Sequence, residues 1–344
     1  MLIIRPAVST DLSALMALAT KTGVGFTSLP CDEQILSHRL ARSADSFAGL
    51  LPKTESGFLF AMEDLDRQQV VGICGIESAI GLHDPWYNYR IGTIVHASAE
   101  LGVWSRHETL FLSNDHTGLS ELCTLFLDPD YRGSHHGAFL SKSRFLFMAE
   151  QRQAFAEWVI AEMRGVSHPD GRSPFWEGLG RHFFSIDFAA ADHLIGIGKK
   201  SFIAELMPKN PVYIDFLSAE AKAVIGDVHE KTRPALKMLQ AEGLRFEGYI
   251  DIFDAGPTLR AAVGDIRAIR ESRHCVAVVV AKPARMAGRQ CLVSNLSMAN
   301  FRVMCVDTPL SLPTVCELTP QEAEMLQVSA GDVIRCVSLD VDHE

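Results

Sequence analysis

A chain of 344 residues exceeds the usual size of one domain, so two or three domains are expected. With 47% apolar and 22% charged residues it has the make-up of a globular protein with a substantial core, which excludes extended disorder. A formal charge of −10 argues against a nucleic-acid partner, whose phosphates demand basic patches, and weakly suits a cationic small substrate.

The eight cysteines are scattered, with no CxxC pair and no zinc-finger spacing. Cys74 and Cys123 sit inside apolar runs, where a thiol packs as a small hydrophobe. Reduced thiols, no basic leader at MLIIRPAVSTDL, and an apolar run at 275–281 too short to span a bilayer predict a soluble cytoplasmic protein.

Residues 2–6 read as a first strand, followed by a helix that Ser9 or Thr10 can cap, with Leu12, Leu15, Met16 and Ala19 on one face. A loop over 21–30 leads to a second helix, 31–44, carrying Ile35, Leu36 and Leu40. Strands follow at 57–63 and 70–79, then 86–96, then the most apolar one, 121–129. A helix over 138–154 pairs Phe139/Leu140 with Leu146/Phe147 on one buried stripe. Strand 158–165 and helix 173–184 complete a mixed α/β order, with antiparallel hairpins first and a β-α-β unit later.

Further on, 232–242 reads as a helix ended by Gly243, before a strand at 245–253. Beyond 255 short strands dominate, at 275–281, 291–294, 301–306 and 332–338, with one helix at 319–327. The predicted domains are therefore 1–254, a core of 1–190 with an extension 191–254, and a small β-barrel over 255–344. LTPQEAEMLQVSAGDVIRCV resembles the strand-turn signature of double-psi barrels, which suits a structural or oligomeric role.

Chemistry concentrates between Glu121 and Ala138, where a buried strand runs through a glycine-bearing loop into a helix. Unpaired N–H groups at a helix N-terminus, with Arg132 at the mouth and Gly133 and Gly137 permitting close approach, make a pyrophosphate cradle. Read alone, the same letters describe an ordinary strand–helix turn.

The run Arg132-Gly133-Ser134-His135-His136-Gly137 resembles the acyl-CoA loop of the GCN5-related N-acetyltransferase superfamily, Arg/Gln-x-x-Gly-x-Gly/Ala. Arg132 and Gly137 match; His135 stands where the family has its first glycine, a departure that matters if positive φ is required there. The strings LFLSNDHTGLSELCTLFLDPDYR, SPFWEGLGRHFFSIDF and YIDIFDAGPTL, among others, resemble the arginine N-succinyltransferase family from residue 1 to about 260, and more loosely to the end. The resemblance implies an acyl-CoA N-acyltransferase fold over 1–254 and transfer of succinyl from succinyl-CoA, a co-substrate and not a tightly bound cofactor, to the α-amine of L-arginine. It also implies His229 as proton donor and Leu125 as a succinyl-CoA contact.

A histidine takes and gives protons near neutral pH, and an N–H near Leu125 on a splayed strand can stabilise an oxyanion. Without the family, His229 reads as a surface loop residue. Tyr249 is a second candidate donor, and Asp115, His116 and Glu121 are candidate pocket residues with turn or strand-end readings beside them. Asp84-Pro85-Trp86 reads as a turn and a pocket wall. Arg90 and Arg164 are alternatives for the succinyl carboxylate. His135 and His136 lack partner ligands, so no metal is expected. An ornithine acceptor, a non-catalytic succinyl-CoA sensor and a homo-oligomer stay open.

Overall fold

The computed structural model describes residues 1–23, 26–196, 205–285, 290–307 and 314–340. Part of the predicted extension, 197–204, lies outside them. The strands in chain order are β1 (Leu2–Pro6), β2 (Gly57–Asp64), β3 (Gln69–Glu77), β4 (Asn88–Ser98), β5 (Val103–Ser113), β6 (Ser120–Leu127), β7 (Trp158–Glu162), β8 (Val212–Tyr213), β9 (Arg245–Asp251) and β10 (Pro257–Ala262). The C-terminal part adds β11 (Arg273–Val279), β12 (Gln290–Ser294), β13 (Val303–Asp307), β14 (Val315–Leu318) and β15 (Val333–Ser338). The main helices are α1 (Leu12–Ala19), α2 (Glu33–Phe47) and α3 (His136–Glu150).

The strands follow one another as β14-β11-β15-β12-β13-β1-β2-β3-β6-β7-β10-β9-β4-β5-β8. Most neighbours are antiparallel; β6 and β7 are parallel, as the crossover through α3 demands. The small barrel expected for 255–344 is not established. β10 lies between β7 and β9, and β13 passes the sheet on to β1 at Ile4 and Val303. Among the described residues no pairing closes β14 onto β13.

β5 is the longest of the strands that the sequence pattern misses; β8, β10 and β14 are the others. β5 pairs with β4 along eleven residues, but β4 meets β9 only at Asn88–Arg90 and β5 meets β8 only at Thr109 and Leu110. Most of this ribbon has solvent on both faces, with Trp104 71% and Val95 59% exposed, so it lacks the apolar alternation of a half-buried strand. Ser9 and Thr10 do not cap α1: they lie in a 3-10 turn, Ser9–Asp11, that leads into it, and Asp11 closes that turn by accepting the Val8 N–H at 2.8 Å while pairing with Arg5. The buried face of α1 is Leu15, Leu18 and Ala19.

α3 is buried on every side from Phe139 to Met148, not along one stripe. Sheet strands cover one face, and β12, β15 and the short helix Arg267–Glu271 cover the other. Phe47, Phe58, Phe60, Phe147 and Phe301 meet mostly edge-to-face, with centroids 4.9–5.8 Å apart, tying α2, β2 and α3 together. A fully buried ion cluster locks the C-terminal end to α3: Glu242 meets Lys142 at 2.9 Å and Arg267 at 2.6 Å, while Lys142 donates to the Leu339 carbonyl.

Candidate active site

The site is built around an irregularity in β6. Ile73 of β3 faces Phe126 and Gly75 faces Cys123, so Thr124 and Leu125 together stand opposite Cys74. This is a β-bulge, and Thr124 takes its left-handed backbone at φ +55. A β-branched residue there costs about 1–3 kcal/mol unless its surroundings hold it. They do: Thr124 Oγ1 donates to the Ser28 carbonyl at 3.2 Å and accepts from Arg39 at 2.9 Å. From the other face Arg144, 1% exposed, donates to the carbonyls of Cys123 and Gly75 at 3.3 and 3.4 Å. β6 pairs with β7 only at Ser120 and Glu121, so the two strands part just before the bulge.

The loop after β6 turns at Gly133, which has φ +87. His135 has φ −71 and ψ 0, an ordinary helical geometry, so the position where the family has glycine needs no left-handed residue here. A Cβ at Gly133 or Gly137 would meet nothing within 4 Å, so space is open at the N-terminus of α3. Arg132 donates to the Leu127 carbonyl at 3.0 Å, and its guanidinium lies 5.3 Å from the Phe126 ring centre. His135 is solvent-exposed opposite Asp340, and His136 Nδ1 lies 3.2 Å from the Tyr131 carbonyl.

A cavity of about 1870 Å³ runs along β6, and Leu125, Arg132 and Gly137 all line it. So do Glu121, Arg164 and the Asp84-Pro85-Trp86 turn. Burial pushes the Cys123 thiol up to about 12, so this lining residue is a packed thiol and not a nucleophile.

His229 is not on the cavity surface. Its N–H donates to the Arg164 carbonyl at 2.9 Å, and Arg164, Lys231 and Thr232 form the wall in front of it. The Lys231 N–H donates to His229 Nδ1 at 3.2 Å, which leaves Nε2 as the protonated nitrogen of the neutral ring. Burial and the neighbouring charges of Arg164 and Lys231 lower its pKa.

Three carboxylates near the start of β6 escaped the sequence reading. Glu162 at the end of β7, Asp251 at the end of β9 and Asp254 just beyond it all line the cavity. Burial, then the charges of Asp251 and Glu121, push Glu162 well above the usual carboxylate range. Asp254 is used structurally, accepting from the N–H groups of Gly165 and Gly256 at 2.7 and 2.9 Å. Asp115, His116 and Tyr249 sit behind this group, not in the cavity lining. Tyr249 donates to Asp115 at 2.8 Å, and His116 Nδ1 lies 2.7 Å from Asn88 Oδ1. Asn88 in turn donates to Glu162 at 2.6 Å. Burial lowers His116 to about 4, so its ring is neutral. Arg90 also lies outside the lining.

A parallel β6–α3–β7 unit, with a bulged first strand and a glycine turn opening its helix, defines an acyl-CoA N-acyltransferase. The family profile described as "Arginine N-succinyltransferase beta subunit" matches residues 2–268, and that of its C-terminal domain matches 274–338. The chain is 55% identical over 342 residues to the arginine N-succinyltransferase of Enterobacter sp. (strain 638), covering 98% of each chain. It is 54% identical over 344 residues to that of Yersinia pseudotuberculosis serotype O:3 (strain YPIII), again covering 98% of each. Among solved structures it is similar to arginine/ornithine succinyltransferase subunit AI from Pseudomonas aeruginosa, with TM-score 0.91, 33% identity and 99% of both chains covered. The chain belongs to the arginine N-succinyltransferase family.

Proposed function

We propose that the chain transfers succinyl from succinyl-CoA to the α-amine of L-arginine. The observation that carries this reading is the order of groups along β6: carboxylates at its start, the bulge in its middle, and the glycine loop after its end. The loop and α3 N-terminus suit a pyrophosphate, with Arg132 beside it. The carboxylates Glu121, Glu162 and Asp251 suit the cationic side chain of an amino-acid acceptor.

Between them the deprotonated α-amine attacks the thioester carbonyl carbon. A C–N bond forms, the oxyanion takes the N–H of Leu125 at the bulge, and collapse breaks the C–S bond. His229 in its protonated, imidazolium form supplies the proton the departing thiolate needs, relayed past the wall of Arg164, Lys231 and Thr232. The neutral ring is recharged from solvent, to which the amine loses its own proton. Among the described residues no helix is long and apolar enough to cross a membrane. Cys31, Cys74, Cys123, Cys275, Cys305, Cys316 and Cys336 form no disulfide, which suits a reducing cytoplasm.

The test is release of free CoA thiol by the purified protein with succinyl-CoA and either L-arginine or L-ornithine. The expected result is arginine-dependent release that falls about 10²–10⁴-fold in kcat for His229→Ala. Release with ornithine alone would move the acceptor. Tight succinyl-CoA binding without turnover on either amine would make the chain a sensor.

A further inference from the structure

The bulge at Thr124 raises a question that the reaction alone does not answer: what keeps a threonine in a conformation that threonine avoids. Thr124 is 2% exposed, so water does not satisfy its hydroxyl. Its oxygen is held between the Ser28 carbonyl and the Arg39 guanidinium. Arg39 also donates to the Ser28 carbonyl, so one guanidinium holds both the hydroxyl and the carbonyl that accepts from it. The guanidinium lies 4.0 Å from Glu77, which Arg42 holds at 2.5 Å. Arg39 thus reaches from α2 to the one residue of β6 whose dihedral sets the direction of the next N–H.

We infer that Arg39 is a positioning residue for the transfer: it holds Thr124 left-handed, and thereby aims the Leu125 N–H at the thioester oxygen. The inference rests on the reading of Leu125 as the oxyanion donor. Loss of the clamp lets the bulge relax toward a regular ladder, turning that N–H away from the cavity. The cost falls on the chemical step and not on the binding of CoA, whose pyrophosphate sits at the other end of β6.

The experiment is a cycle of variants, each first checked for a cooperative thermal transition. Arg39→Met should lower kcat between about tenfold and the roughly 10²-fold that a displacement of about 1 Å costs, with the KM for succinyl-CoA nearly unchanged. Thr124→Ala should do the same, and the double variant should fall little below the worse single one, because the two act as a unit. Thr124→Gly accepts the left-handed backbone without a clamp, so Arg39→Met should cost much less on that background. Equal losses from Arg39→Met on the wild-type and Thr124→Gly backgrounds would overturn the inference. So would a loss confined to the KM for succinyl-CoA with acetyl-CoA turnover spared, which would make Arg39 the partner of the succinyl carboxylate. Replacing Leu125 by its α-hydroxy acid removes the N–H alone. Unchanged kcat there would sink the oxyanion reading itself, whereas a lowered kcat beside an additive cycle would sink only the role of Arg39.

Discussion

Two groups of charged side chains inside this protein obey opposite rules. Around Glu242 the charges close on themselves: Lys142 and Arg267 pair with it, and the Ala268 N–H adds a bond at 2.8 Å. Burial by itself would raise the Glu242 pKa, but the two cations override it and hold the carboxylate below its ordinary range. Around Glu162 carboxylate faces carboxylate. Burial and the charges of Asp251 and Glu121 push it up, and the neutral amide of Asn88 only partly opposes them. The first group fastens the C-terminal strands to α3 and lies outside the lining of the cavity along β6. The second lines the cavity, where the proposed cationic acceptor would complete it. Buried charge that is fully paired is architecture; buried charge left against its own sign marks a binding site.

This contrast breaks most visibly at Glu242. Glu242→Ala leaves buried Lys142 without its carboxylate and Arg267 with only the exposed Glu271, and should cost about 3–5 kcal/mol of stability, read as a lower denaturation midpoint. Glu162→Gln should do the reverse: it lowers kcat/KM for arginine at least about tenfold, roughly 1.4 kcal/mol, without loss of thermal stability. The pH dependence of stability separates the two carboxylates by sign. Glu242, with its pKa depressed, stabilises the fold above its ordinary titration range, and that support is lost as pH falls through the folded value. Glu162, with its pKa raised, favours folding while protonated, and that contribution is lost as pH rises through its raised value. The Tm advantage of Glu162→Gln should therefore appear on the alkaline side only, in calorimetric scans across pH. The smallest effect is on binding. The KM for arginine should rise as pH falls through the raised pKa of Glu162, and this slope should flatten in Glu162→Gln.

The same contrast explains what could be read from the sequence. Leu125, Arg132 and Gly137 lie on one uninterrupted strand–loop–helix, so local pattern brought them together, and the structure sets all three on one cavity. The bulge could not be read, because Thr124 is an ordinary strand residue until its pairing with β3 is known. Glu162 and Asp251 come together only because β10 inserts between β7 and β9, a long-range pairing. A signal was nevertheless there: WVIAEMRG and YIDIFDAG place carboxylates in otherwise apolar strands, where they are rare unless paired or used. β5 escaped for the opposite reason, since a ribbon wet on both faces carries no burial pattern. The single stripe expected on α3 failed because the C-terminal strands cover the face that would otherwise meet solvent.

The central claim is that the carboxylates at the start of β6 select a cationic acceptor. It is tested most directly by comparing L-arginine with L-citrulline, which keeps the α-amine and replaces the guanidinium by a neutral group of similar shape. In thiol-release kinetics with succinyl-CoA the wild-type protein should favour arginine by at least about 10²-fold in kcat/KM, as expected when a charged partner is left without its counterpart. Glu162→Gln should narrow that ratio about tenfold or more. Equal turnover of arginine and citrulline, or a ratio untouched by Glu162→Gln, would contradict it.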